Sequence, residues 1–127
     1  MYKKIKEILL YLKYGYKANS KSYIRYLRKK GIKIGEGTTF YSPNTIMVDI
    51  QRPWMIEIGK NVHITAGVSI LQHGYDWAVL QKKYGEVLGS SGKIIIGDNV
   101  FIGTKTTILK RCTYRKQYYN WSKFISK

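Results

Sequence analysis

Three side chains, His63, His73 and Cys112, are of types that exchange protons or act as nucleophiles near neutral pH. His73 stands in Leu71-Gln72-His73-Gly74-Tyr75-Asp76-Trp77. An imidazole in such a stretch is suited to take a proton from a hydroxyl and hand it on to a leaving group. Taken alone, a histidine in a loop is ordinarily a solvated one, so type and position do not by themselves make His73 a base. His63 sits between Val62 and Ile64 in an outward slot and reads as solvated. Cys112 is the single cysteine, cannot form an internal disulfide, and fits a reducing, cytoplasmic setting.

The elements that must carry these residues fall into three parts. Residues 1–31 form basic N-terminal helices. Ile5, Ile8, Leu9 and Leu12 recur at helical spacing among Lys3, Lys4 and Lys6, and predict a short amphipathic helix from Tyr2 to Leu12. A second helix is expected from an N-cap at Ser20 or Ser22, through Tyr23, Ile24, Tyr26 and Leu27, to a stop at Gly31 after Arg28-Lys29-Lys30.

Residues 32–110 follow a different period. Ile34, Phe40, Ile46, Ile58, Ile64 and Ile70 share one register modulo six, broken only at Arg52 beside Pro53. Ile96, Ile102 and Ile108 restart the period after an insertion over 72–94. Six residues suit one flat strand plus a corner of a triangular coil, in which each aliphatic residue stacks on its equivalent one coil away. Ile-Gly-x-Asn-Val occurs at Ile58 to Val62 and at Ile96 to Val100, with Asn61 and Asn99 where left-handed backbone is tolerated. An ordinary meandering sheet would show a period of two instead.

Residues 31–110 closely resemble the hexapeptide-repeat sugar O-acetyltransferases, the group associated with capsule and lipopolysaccharide synthesis. The selective part is Ile70 to Trp77, then Lys83-Tyr84-Gly85-Glu86-Val87-Leu88-Gly89-Ser90-Ser91-Gly92, then Ile96-Gly97-Asp98-Asn99-Val100-Phe101-Ile102-Gly103. The resemblance implies a mainly β fold, a left-handed parallel β-helix of hexapeptide repeats with an N-terminal helical segment. It implies transfer of an acetyl group from acetyl-CoA to a sugar or glycan hydroxyl, with His73 as general base, no metal required, and a homotrimer with each site between two subunits. The donor is expected against Gly103 and Thr104, whose backbone could steady the thioester oxygen. The insertion is expected to cover the acceptor. There Asp76 would orient His73 or hold sugar hydroxyls, and Trp77 would stack on a sugar ring. Asn44, after Pro43, matches an acceptor-binding asparagine region of some relatives with its spacing off by one residue.

The pattern ends at Lys110, and residues 111–127 form an aberrant basic tail expected to be poorly ordered. Back-translated with A/T-rich codons and read one nucleotide later, the tail becomes Gly-Val-x-Ile-Gly-Asn-Asn-Ile-Ile-Ile-Gly-Ala, in register with Ile108. A frameshift or truncation after Lys110 is therefore expected, with weak or absent activity. That expectation supports a second reading, a noncatalytic hexapeptide scaffold or decayed gene product.

A formal net charge of +16 first suggests nucleic acid, but its placement argues against that partner. Between residues 34 and 109 six basic residues meet six acidic ones, so the core is neutral and offers no basic stripe with interleaved aromatics. Eleven Lys and Arg up to Lys33 face Glu7 alone, and suit peripheral contact with the inner membrane surface as well as a solvated helix face. No apolar run approaches the roughly 18–20 residues that span a bilayer.

Overall fold

The structure, a computed structural model, describes residues 1–74, 76–86, 91–111, 113–114, 119–120 and 124–125. Two helices open the chain. α1 (Tyr2–Tyr14) ends at Gly15, which takes φ 58. α2 (Ser20–Lys30) is capped by Asn19 rather than by a serine. Asn19 Oδ1 accepts the Ser22 N–H at 2.9 Å, and the Asn19 N–H reaches Ser22 Oγ at 3.4 Å. Ser22 thus serves as the second half of a reciprocal capping pair instead of as the cap itself. Gly31 closes α2 at φ 110, a left-handed geometry that glycine adopts without a Cβ clash.

Beyond Gly31 the described residues form twelve short strands. The first circuit holds β1 (Lys33–Ile34), β2 (Thr39–Phe40) and β3 (Met47–Val48). The second holds β4 (Ile56–Ile58), β5 (His63–Ile64) and β6 (Ser69–Leu71), and the third β7 (Ile94–Ile96), β8 (Phe101–Ile102) and β9 (Thr107–Leu109). β10 (Thr113–Tyr114), β11 (Tyr119–Asn120) and β12 (Phe124–Ile125) lie in the tail; the rest of the tail beyond Arg111 lies outside the described residues. Three parallel sheets result, β1-β4-β7-β10, β2-β5-β8-β11 and β3-β6-β9-β12. Each of the first nine strands pairs with the third strand after it, so the chain visits the sheets in rotation and rises by one strand spacing, about 4.8 Å, per circuit. The fold is mainly β, with stacked parallel strands and an N-terminal helical segment.

The interior is built by registration of aliphatic side chains. Ile34, Ile58 and Ile96 stack in the first sheet, Phe40, Ile64 and Ile102 in the second, and Val48, Ile70 and Ile108 in the third. All nine are buried, as is Ile46. Ile46 departs from the expected slot in one respect: Val48, two residues on, is the partner of Ile70. The 3-10 turn Pro43–Thr45 lengthens that corner and shifts the strand. Close stacking also explains glycine at the first corner, where a Cβ on Gly59 would sit 2.7 Å from the backbone of Gly97. Asn61 and Asn99 take φ 52 and φ 57 just beyond.

Three six-residue sides need about 18 residues per circuit. The first circuit, Ile34 to Ile58, uses 24, and the second, Ile58 to Ile96, uses 38. Most of the surplus leaves at the corner between the third sheet and the first. It forms a 3-10 turn, Pro53–Met55, in one circuit and α3 (Trp77–Tyr84) in the next. The break at Arg52 is therefore a widened corner of the coil.

α2 closes the lower end of the coil. Its buried Tyr23 and Leu27 cover the prism, with the Tyr23 ring edge-on to Phe40 at 5.1 Å. Side chains from this segment also satisfy the exposed edge of the first circuit. Arg28 donates to the Ile34 carbonyl at 2.8 and 3.1 Å, Ser20 Oγ accepts the Phe40 N–H at 2.9 Å, and Lys17 Nζ donates to the Ile46 carbonyl at 2.8 Å. An open edge would otherwise present unpaired backbone groups to other chains.

Replacing Ile102, which is fully buried, by Ala is expected to cost about 2–5 kcal/mol in denaturant unfolding, the usual range for emptying a packed site. Leu9→Ala, on the open face of α1, serves as the near-neutral control. Gly59→Ala is expected to destabilise by about 1–3 kcal/mol, since the new methyl meets the Gly97 backbone as well as the Asp98 carboxylate. Equal midpoints for Gly59→Ala and wild type would contradict the close stacking.

Candidate active site

The widened corner gathers the groups with chemical potential. β6 ends at Leu71, and His73 follows it where the insertion departs. One circuit below, β3 ends at Val48, and the Asp49 N–H still pairs with the Ile70 carbonyl at 2.9 Å. That pairing places the Asp49 carboxylate directly under the start of the insertion. One of its oxygens, Oδ1, accepts the Gln51 N–H at 3.0 Å, and the other, Oδ2, takes a short hydrogen bond from His73 Nδ1. The carboxylate side chain is 7% exposed and the imidazole 14%, so the pair is shielded from bulk water on most sides.

The geometry assigns the tautomer. An ionised carboxylate only accepts, so Nδ1 carries the hydrogen and the lone pair of a neutral ring belongs to Nε2. Gln72, fully buried, brings its amide Nε2 to 3.3 Å from the same Nδ1, where it packs on a nitrogen already committed to Asp49. The returning end of the insertion pairs with the backbone at Gln72 and His73. Ser91 pairs antiparallel with His73, and the Gly92 N–H donates to the Gln72 carbonyl at 3.0 Å. Just beyond, Lys93 Nζ reaches Glu57 at 2.9 Å, and this hydrogen bond holds the Glu57 carboxyl below its ordinary range.

Asp49 is the partner that sequence reasoning missed. It entered only the charge count, whereas Asp76 was expected to orient His73 or to hold sugar hydroxyls. Asp76 instead begins α3, accepts the Val79 and Leu80 N–H groups on its backbone carbonyl, and among the described residues its carboxylate makes no hydrogen bond. It remains beside His73 in the chain, on the exposed start of the insertion. Trp77 opens α3, and its side chain lies outside the described residues.

The other expected contacts sit elsewhere. Gly103 and Thr104 follow β8 at the corner between the second and third sheets, at the opposite end of the third sheet from His73. Gly103 is buried with its carbonyl accepting the Thr106 hydroxyl at 2.8 Å, and Thr104 is exposed on the rim. Asn44 belongs to this second corner too, two circuits below Thr104 and exposed. A single chain therefore brings His73, Asp49 and Asp76 to one corner, and Asn44, Gly103 and Thr104 to another. Among the described residues no group of three His, Cys or acidic side chains is arranged to hold a metal ion.

His63 is more than a solvated histidine. Tyr41 Oη lies 2.9 Å from its Nδ1, and Nε2 lies 2.8 Å from Asn61 Oδ1, which in turn belongs to a ladder reaching Asn99 at 2.9 Å. Both nitrogens are spent on the outer face of the second sheet. A cavity of about 430 Å³ between α2 and the first circuit, lined by Lys21, Arg25 and Arg28 among others, is likewise remote from the His73 corner.

Two known proteins are similar to the chain over part of its length. It is 36% identical to Protein CapG of Staphylococcus aureus over 87 residues, which are 68% of this chain and 49% of that protein. It is 38% identical to YvoF of Bacillus subtilis (strain 168), which carries a provisional acetyltransferase name, over 78 residues that are 61% of this chain and 39% of that protein. The chain thus spans about half the length, or less, of these curated relatives. No family model matches the chain, and no solved structure matches it significantly.

Long-range proton–nitrogen spectra are expected to show His73 in the tautomer protonated at Nδ1, and Asp49→Asn is expected to move population to the Nε2-protonated form, because the amide can donate where the carboxylate could not. An unchanged tautomer balance in Asp49→Asn would remove Asp49 from the site.

Proposed function

We propose that the chain carries the catalytic corner of an acetyl-CoA-dependent O-acetyltransferase, acting on a hydroxyl of a sugar or glycan intermediate of the capsule or lipopolysaccharide type. The coil is read as a left-handed parallel β-helix of hexapeptide repeats. The observation that carries the reading is the His73–Asp49 pair, a base and its orienting carboxylate held at the rim of the coil where the insertion can cover an acceptor. The similarity to YvoF, which carries a provisional acetyltransferase name, supports the reaction class.

In this reading His73 Nε2 removes the proton from the acceptor hydroxyl as its oxygen attacks the thioester carbon. The same nitrogen then returns the proton to the departing CoA sulfur. Asp49 stabilises the imidazolium that forms between these two transfers and keeps the ring from turning. Asp76 and Trp77, on the insertion, contact the sugar. Gly103 and Thr104 hold the donor, with a backbone N–H near the thioester oxygen, and Asn44 lies along the same corner.

Because His73 and Gly103–Thr104 occupy opposite ends of one sheet, this reading places each active site between two copies of the chain, in a homotrimer. The protein works in the cytoplasm, where its thioester donor is made. Sedimentation of the purified chain is expected to give three times its monomer mass; a stable monomer with full turnover would exclude a shared site.

The direct test is release of CoA thiol from acetyl-CoA in the presence of glycan acceptors. His73→Ala is expected to lower kcat by about 10²–10⁴-fold, the range for loss of a general base. Asp49→Asn should lower kcat with KM little changed. Turnover that survives His73→Ala, or wild-type protein that releases no thiol with any acceptor, would favour the noncatalytic scaffold instead.

A further inference from the structure

α2 covers the end of the coil, and α1 does not. None of its residues is buried; it meets the rest of the protein mainly through the turn that follows it and through the half-buried Leu10 and Tyr14. The opposite side of the helix carries Ile5, Ile8, Leu9 and Leu12, which are 50, 55, 60 and 77% exposed. These four recur at helical spacing and make one continuous apolar stripe about 11 Å long at 1.5 Å per residue, on a helix of 13 residues. Such a stripe on a water-exposed helix is a binding face, since scattered single apolar residues would not align in this way.

The charges around the stripe identify what binds. Lys4 borders one side of it, and Lys6 and Lys13 border the other, all three exposed. Glu7, the single acid of the first thirty residues, is turned away, lining the groove toward α2 with Leu10 and Lys21. The outward side of α1 is therefore apolar at its centre and purely cationic at its borders. A second copy of the same helix would bring lysines against lysines with no acid to offset them. A polyanion without an apolar phase would leave the stripe in water. An anionic lipid surface satisfies both parts.

We propose that α1 is a membrane-surface anchor: it lies flat on an anionic bilayer with Ile5, Ile8, Leu9 and Leu12 in the acyl boundary and Lys4, Lys6 and Lys13 among the headgroups. The helix rests on the bilayer and does not cross it, as no helix among the described residues is long and apolar enough to span. Long lysine stems let the ammonium groups reach the headgroup level from the flank of a buried stripe. Lys21, Arg25 and Lys29 on the neighbouring helix add to the local positive field, while the coil beyond is neutral. This anchoring is independent of acyl transfer, and the coil would be held at the surface whether or not His73 is a base.

Flotation of the full chain with lipid vesicles tests it. The protein is expected to float with vesicles of phosphatidylcholine containing about a third phosphatidylglycerol, to be left behind by phosphatidylcholine alone, and to be released by high salt. Ile8→Glu/Leu12→Glu should weaken partitioning at least about tenfold while leaving the circular dichroism and unfolding midpoint of the chain intact, because neither side chain touches the core. The milder pair Leu9→Ala/Leu12→Ala should weaken it by a smaller factor in the same direction. Absence of binding to anionic vesicles, binding indifferent to these substitutions, or equal binding to neutral vesicles would overturn the proposal. So would a vesicle-free protein whose oligomer dissociates on Ile8→Glu/Leu12→Glu, since a second copy would then be the occupant.

Discussion

The structure depends on one constraint: an aliphatic side chain in each strand must rest on its counterpart one strand spacing away, with backbone hydrogen bonds fixing that spacing on all three sides. Ile58 on Ile96, Ile64 on Ile102 and Ile70 on Ile108 meet it at once, in three separate sheets. No side chain in the interior has an alternative neighbour, because the coil offers one layer above and one below. Dispersion contacts and exclusion of water then act along a line instead of around a sphere, and each circuit is stabilised chiefly by the two that flank it.

Such a lattice tolerates variation only where the chain leaves it. The two longest surplus segments depart from the corner between the third and first sheets, and the His73–Asp49 pair lies there. Asp49 ends one rung of the third sheet and His73 leaves the next, so the rigid stacking of β3 on β6 sets their separation. The geometry of the pair is inherited from the core, while the insertion is closed at its base where Ser91 and Gly92 pair with His73 and Gln72. At the other corner Gly103 and Thr104 are positioned by the same stacking, one sheet width away.

What the sequence disclosed follows from this. Residues that fill the interior see the same surroundings every six positions, so Ile34, Phe40, Ile58, Ile64, Ile70, Ile96, Ile102 and Ile108 could be picked out, and all are buried. Asn61 and Asn99 were legible because left-handed backbone restricts residue choice. The Asp49 partner of His73 was not, since finding it required the number of residues per circuit, and the first circuit is six longer than the repeat suggests. The break at Arg52 was the available sign of that lengthening. The Asn19 cap was hidden by two serines of equal propensity, and the Tyr41–His63–Asn61 chain by the fact that neighbours across a coil are more than twenty residues apart in sequence.

The closed lower end gives the coil a direction. Lys17, Ser20, Tyr23 and Arg28 seal that edge, and all stand before the first strand in the order of synthesis. A nascent chain would therefore hold its plug before any strand existed to need it, and each later turn of the spiral would be laid on a finished floor. Growth of this kind proceeds one way and never exposes more than a single raw edge, which limits strand-to-strand joining between neighbouring polypeptides during synthesis.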